Sequence, residues 1–254
     1  MSTAYGKRPH VQRLDVGART VAPTYGRMRM LTSSDKTDGI VVVDGAAERV
    51  ATYLFSVDPS VRSFEPQPFS VDLFGKRLLM SKEAVNNARA KRAGNGGPLI
   101  YTPDFLVHLM DGRQLAIEVK DTEWPGEDTY WRRVQQAEPI LNFHGYEFKR
   151  LLLPARAQTP LARNLTLLQQ AARSPRPQYQ EQVLEKLEAT DQGEPVALAT
   201  ICAALGLSIH EAPGLLLRGV ISTDIFSHLL TANTPTCLAY GDLTHLNLLE
   251  RVQQ

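Results

Sequence analysis

The sequence predicts an α/β protein: a mixed sheet flanked by helices, followed by a small winged helix-turn-helix-like C-terminal domain. Three observations carry this. Asp111-Gly112 separates two runs of alternating apolar residues, 102–110 and 114–120, and Asp-Gly in that setting is a strong hairpin signal. Helical patterns at 44–55 and 130–142 bracket the hairpin, and a further apolar run from Tyr146 to Leu153 supplies a closing strand. From about Tyr179 the chain reads as three short helices (180–189, 198–205 and 209–218), with a Gly206-Leu207-Ser208 turn and a strand led by Gly219, the order of a winged helix-turn-helix.

Taken in order, residues 1–40 have little periodicity and many turn formers and read as a basic N-terminal arm. Asp44 is the expected N-cap of the first helix, which ends near Asp58-Pro59. Phe64 to Leu79 reads as one or two strands with a turn at Gly75. Residues 81–98 carry Lys82, Arg89, Lys91 and Arg92 before Gly94-Asn95-Gly96-Gly97-Pro98. This is either a DNA-facing loop or a solvated connector with one helical turn. The helix at 130–142 offers Trp131, Val134 and Leu141 to the core, and His144-Gly145 ends it. The expected division is an arm at 1–40, a catalytic domain at 41–154, a linker at 155–178 containing Ser174-Pro175-Arg176-Pro177, and the C-terminal domain at 179–254.

The chain has 254 residues and a net charge of +1, with an ordinary globular composition. No apolar run approaches the roughly 18 residues of a membrane span, and the N-terminus has no apolar signal core. A cytoplasmic location is the expectation. Cys202 and Cys237 are the only cysteines, so neither a disulfide framework nor a zinc motif is indicated. Charge is unevenly spread. Residues 1–30 hold six Lys/Arg (Lys7, Arg8, Arg13, Arg19, Arg27, Arg29) against Asp15, whereas residues 155–254 hold seven Lys/Arg against nine Asp/Glu. The basic arm suits phosphates. Its bland alternative is a solvated tail. The helix Ile209 to Arg218 has almost no base-reading residues. With the acidic balance, that favours a protein partner for the C-terminal domain, and cutting near Pro177 is expected to leave the catalytic domain folded.

The chemistry concentrates on the hairpin. Side chains alternate faces along a strand, so Glu118 and Lys120 point one way and Val119 the other. Asp104 begins the first strand, near the same end of the sheet. Two carboxylates and an ammonium at one sheet edge suit a magnesium site for phosphodiester hydrolysis, because hard divalent ions favour carboxylate oxygens. A lysine beside them can orient water and offset charge building on phosphate. The plain alternative is an exposed Glu–Lys pair of the kind many hairpins carry.

Pro103-Asp104 with Glu118-Val119-Lys120 resembles the Pro-Asp…Glu-x-Lys pattern of restriction-endonuclease-like nucleases. Several runs together resemble the TnsA family of transposon-end endonucleases. They are Ala47-Glu48-Arg49 leading to Val57-Asp58-Pro59-Ser60-Val61, then Phe64-Glu65-Pro66-Gln67-Pro68-Phe69, then Tyr101-Thr102-Pro103-Asp104-Phe105 with Ile117-Glu118-Val119-Lys120, and last His144 to Phe148. The resemblance implies a restriction-endonuclease-like fold and an active site of Glu48, Asp104, Glu118 and Lys120. Glu48, Asp104 and Glu118 would hold Mg²⁺ or Mn²⁺. Glu65 is the rival of Glu48. The resemblance also implies cleavage of the 5′-end strand of double-stranded DNA at transposon ends, beside an integrase-like transposase subunit and under an AAA+ ATPase regulator docked on the C-terminal domain. Lys7, Arg8, Arg13, Arg89, Lys91 and Arg92 are the candidate DNA-binding residues. A stand-alone restriction enzyme, a junction-resolving nuclease and a non-catalytic DNA–protein adaptor are the alternatives, and the joint presence of Asp104, Glu118 and Lys120 speaks against the last.

Overall fold

A computed structural model of the chain describes residues 30–91, 100–124, 126–154 and 159–252. It is a mixed α/β structure. A hairpin of β1 (Met30–Ser33) and β2 (Ile40–Val43) leads into α1 (Ala46–Val57). The strand at Met30 falls within the span read as an arm, while residues 1–29 lie outside the described residues. Next come β3 (Val61–Pro66), β4 (Ser70–Asp72), β5 (Arg77–Leu79), α2 (Lys82–Ala90), β6 (Ile100–Tyr101), β7 (Phe105–Leu109) and β8 (Gln114–Asp121). The expected hairpin is β7 and β8, with Gly112 at φ 91° in its turn. α3 (Asp128–Phe143) then crosses over to β9 (Glu147–Leu153), which pairs with β8 in parallel. The central sheet has the order β3-β7-β8-β9, and a second sheet has the order β5-β4-β6.

Alternation along β8 splits the interior in two. Leu115, Ile117 and Val119 join the core under α1, while Ala116 joins a second core under α3. α1 buries Ala47, Val50, Ala51, Leu54 and Phe55, the spacing of one helical face. Phe55 meets Phe64 of β3 and Phe105 of β7 with ring centroids 5.4 and 5.3 Å apart, distances typical of favourable aromatic pairs. This cluster fixes α1 against the strand that starts beside Asp104.

Several local expectations are corrected. Asp44 is not the N-cap of α1; Gly45 is, without a side-chain cap. The Glu48 carboxylate instead reaches back and accepts the Asp44 N–H at 3.1 Å, as an acidic residue in the first turn of a helix can. Phe64 to Leu79 contains three strand segments, because the chain bends again at Gln67 (φ 45°) before β4. Residues 82–90 form a nine-residue helix, longer than one helical turn, with Ser81 accepting the Ala84 N–H at its start. The span read as a linker carries α4 (Pro160–Ala172), started by Thr159 and Pro160.

The C-terminal region contains α5 (Glu181–Thr190), β10 (Val196–Ala197), α6 (Leu198–Ala204), a short 3-10 turn at Ile209–Glu211, α7 (Ala212–Leu216), β11 (Ile221–Ser222), β12 (Pro235–Leu238) and α8 (Leu248–Val252). Its small sheet has the order β10-β12-β11, antiparallel throughout. Leu161, Leu165 and Leu168 of α4, Leu215 and Leu216 of α7, and Leu248 and Leu249 of α8 belong to the same core as α1. Leu215 and Leu216 are fully buried and so offer no contact area to a partner. No single helix among the described residues is long and apolar enough to cross a membrane.

Candidate active site

The β7–β8 register pairs Phe105 with Ile117, which puts Asp104 one step further, beside Glu118. Both ends of Asp104 are held. Its carbonyl accepts the Gln67 N–H at 2.9 Å, and its Oδ2 accepts the Val119 N–H at 2.8 Å. Glu118 is almost fully enclosed, 1% exposed. Its Oε2 accepts from the Tyr101 hydroxyl at 2.9 Å, and its Oε1 accepts from both the Tyr130 hydroxyl and the Lys120 Nζ. A carboxylate at this depth needs donors of this kind, since an unpaired buried charge is costly.

Glu48 enters from the first turn of α1. Burial raises its pKa; its bond to the Asp44 N–H opposes the rise, and the charges of Asp44 and Glu118 add to it. Asp104 lies well above the usual carboxylate range, first through burial and then through the Glu118 and Glu48 charges, with Lys120 opposing. The four expected residues are thus within electrostatic reach of one another at one end of the sheet. Glu65 is not with them. It is largely exposed on β3, 3.7 Å from the His108 Nε2.

Four further side chains complete the surroundings, and the motif reading assigned no site role to any of them. Tyr101 and Tyr130 hold their hydroxyl protons far more tightly than a free phenol, first because they are desolvated and then because Glu118 is adjacent. Both therefore remain donors. Tyr130 and Trp131 open α3, ring centroids 5.5 Å apart, and each carries a cation. The Lys120 Nζ sits 4.4 Å from the Tyr130 ring centroid, and the Arg150 guanidinium 4.2 Å from that of Trp131. Such cation–ring contacts strengthen when shielded from water. Trp131, expected in the core, is only partly buried, whereas Val134 and Leu141 are core residues as expected. The Tyr130-Trp131 pair at the start of the helix that follows Glu-x-Lys was the available signal for an aromatic shelf. Arg150 had none, because its neighbourhood is set by the crossover through α3.

Among the described residues no three carboxylate, histidine or cysteine side chains converge into a ready-made metal cage. Arg89 and Lys91 are exposed at the end of α2; Arg92, Lys7, Arg8 and Arg13 lie outside the described residues.

No protein-family model matches the chain, and no curated protein matches it.

Proposed function

We propose that this chain is a metal-dependent DNA endonuclease of the TnsA type, the subunit of a heteromeric bacterial transposase that hydrolyses the 5′-end strand at transposon ends. The observation that carries the reading is the meeting of Asp104, Glu118 and Lys120 at one end of the central sheet, with Glu48 brought in by α1. The order helix, three antiparallel strands, helix, parallel strand (α1, β3, β7, β8, α3, β9) supports a restriction-endonuclease-like core. Helix, strand, two helices and two strands in a β10-β12-β11 sheet supports a winged-helix-like C-terminal unit.

The donor set fits Mg²⁺ or Mn²⁺. It consists of hard carboxylate oxygens; burial first, and then the charges of neighbouring carboxylates, raise the pKa values of Glu48 and Asp104, and a divalent cation relieves that repulsion. Glu118 would first have to free Oε1 from Tyr130 and Lys120. When bound, such an ion supplies Lewis-acid polarisation of the phosphate and a more acidic water. The chain's own residues do the rest. Glu118 anchors the site on β8, and Asp104 anchors it from the residue just before β7. Lys120, released from Glu118 and steadied on the Tyr130 ring, presents its ammonium to charge developing on the phosphate. Tyr101 keeps a hydrogen bond on Glu118 and holds its orientation.

In this reading the arm residues Lys7, Arg8 and Arg13, together with Arg89, Lys91 and Arg92, track DNA phosphates. Residues 179–254, with three Lys/Arg against nine Asp/Glu, meet the AAA+ ATPase regulator, and an integrase-like subunit cuts the other strand. The protein would work in the cytoplasm.

The test is cleavage of an end-labelled transposon-end duplex in Mg²⁺, with the partner subunits present. Asp104→Asn should lower the rate on the order of a thousandfold or more, the scale of a lost metal ligand. Cleavage by D104N at the wild-type rate would sink the assignment.

A further inference from the structure

Among the described residues, Arg150 is a strongly basic side chain set beside Glu118 that makes no ion pair with it. The parallel register places it directly across from Glu118. Leu151 and Leu153 turn to the α1 core and Phe148 to the α3 core, so Arg150 lies on the α3 face with Phe148, the face that also carries Glu118. Its guanidinium stacks on Trp131, and its Nε is buried without a hydrogen-bond partner. Glu118 does not satisfy it: the donors on that carboxylate are Tyr101, Tyr130 and Lys120.

A guanidinium whose buried Nε lacks a hydrogen-bond partner is costly to keep. Its planar fork matches two oxygens of a phosphate, and stacking on an indole pre-orients it. We infer that Arg150, shelved on Trp131, is a phosphodiester-binding residue that grips the cleaved DNA strand next to the carboxylate cluster. The inference rests on the nuclease reading, and it adds a cation that the Glu-x-Lys motif does not contain. Lys120 serves the reacting phosphate, and Arg150, one strand over, holds the phosphate group beside it.

The experiment uses the full chain and a transposon-end duplex, with binding measured over a series of salt concentrations. R150Q should lower the slope of log K against log salt by about 0.9, the value for one phosphate contact, and R150K should restore it. A folded R150Q with the wild-type slope overturns the inference. A second readout does not depend on how R150Q folds. The chain has two tryptophans, and Trp124 is exposed, so W124F leaves Trp131 as the sole indole. Its emission should change in step with duplex binding; unchanged emission, or a wild-type chain that binds no duplex, also overturns the inference. The nuclease reading fails separately: if D104N cuts like wild type while R150Q still loses its slope, the catalytic assignment falls and the phosphate contact stands.

Discussion

Asp58, at the end of α1, accepts the Leu249 N–H of α8 at 2.7 Å through Oδ2, across 191 residues of the chain. Its Oδ1 accepts from the Ser60 N–H and hydroxyl at 2.8 and 2.6 Å, and the Lys36 ammonium donates to its carbonyl at 2.5 Å. Asp58 is fully buried. One carboxylate therefore ties the turn between α1 and β3 to the last described helix. Asp58→Ala leaves three donor groups without their acceptor, and a cost of about 2–4 kcal/mol is expected. For a chain of this size that is a fall in Tm of roughly 5–15 °C. A calorimetric shift below about 2 °C would show the tie to be unimportant.

The same continuity bears on truncation. Leu161, Leu165 and Leu168 of α4 share one core with Leu215, Leu216, Leu248 and Leu249. Removing everything after Pro177 would expose the outer faces of α4 and α1. The separable catalytic domain expected from the linker-like composition is therefore replaced by the opposite prediction: residues 1–177 should aggregate or unfold cooperatively at much lower temperature than the whole chain. A well-dispersed, thermally stable 1–177 fragment would contradict it.

Glu48 and Asp104 are both raised in the folded state by burial and by neighbouring carboxylates. A carboxyl raised on folding binds more protons folded than unfolded, so stability falls as pH climbs from the unfolded value, about 4, through the folded one. Glu48→Gln and Asp104→Asn each retain the hydrogen-bond acceptor and remove the charge. Without divalent ions, each should raise stability at pH 7 by on the order of 1 kcal/mol, and the gain should vanish at or below about pH 4. Denaturant melts at the two pH values decide this; equal effects at both would refute it.

If the carboxylates hold a divalent ion, Mn²⁺ should stabilise the folded chain. At a hundredfold excess over Kd the gain is about 2.7 kcal/mol. D104N and E118Q should lose most of it, and K120M should keep it because Lys120 holds no ion. Thermal melts with and without Mn²⁺ are the measurement, and a Tm indifferent to Mn²⁺ in the wild type speaks against the metal site.

The β7–β8 hairpin, α1, α3, β9 and the three C-terminal helical segments were legible in the sequence because each rests on short-range physics. Asp111-Gly112 sets a turn, the Ala47 to Phe55 spacing makes one apolar helix face, and alternation puts Glu118 and Lys120 on one side of a strand. The local pattern also places Asp104 at the same end of the hairpin, since the antiparallel register follows from the turn. Other features depend on contacts between segments far apart in the chain. Glu48 reaches the carboxylates because Phe55, Phe64 and Phe105 set α1 against the sheet. Arg150 faces Glu118 because a parallel register is fixed by packing of the α3 crossover rather than by a turn. Tyr101 and Tyr130 converge on one carboxylate because burial leaves Glu118 no water to bind. The union of α1, α4, α7 and α8 in one core was hidden for the same reason: Ser174-Pro175-Arg176-Pro177 reads as a break along the chain, but composition carries no information about what lies on either side of it in space.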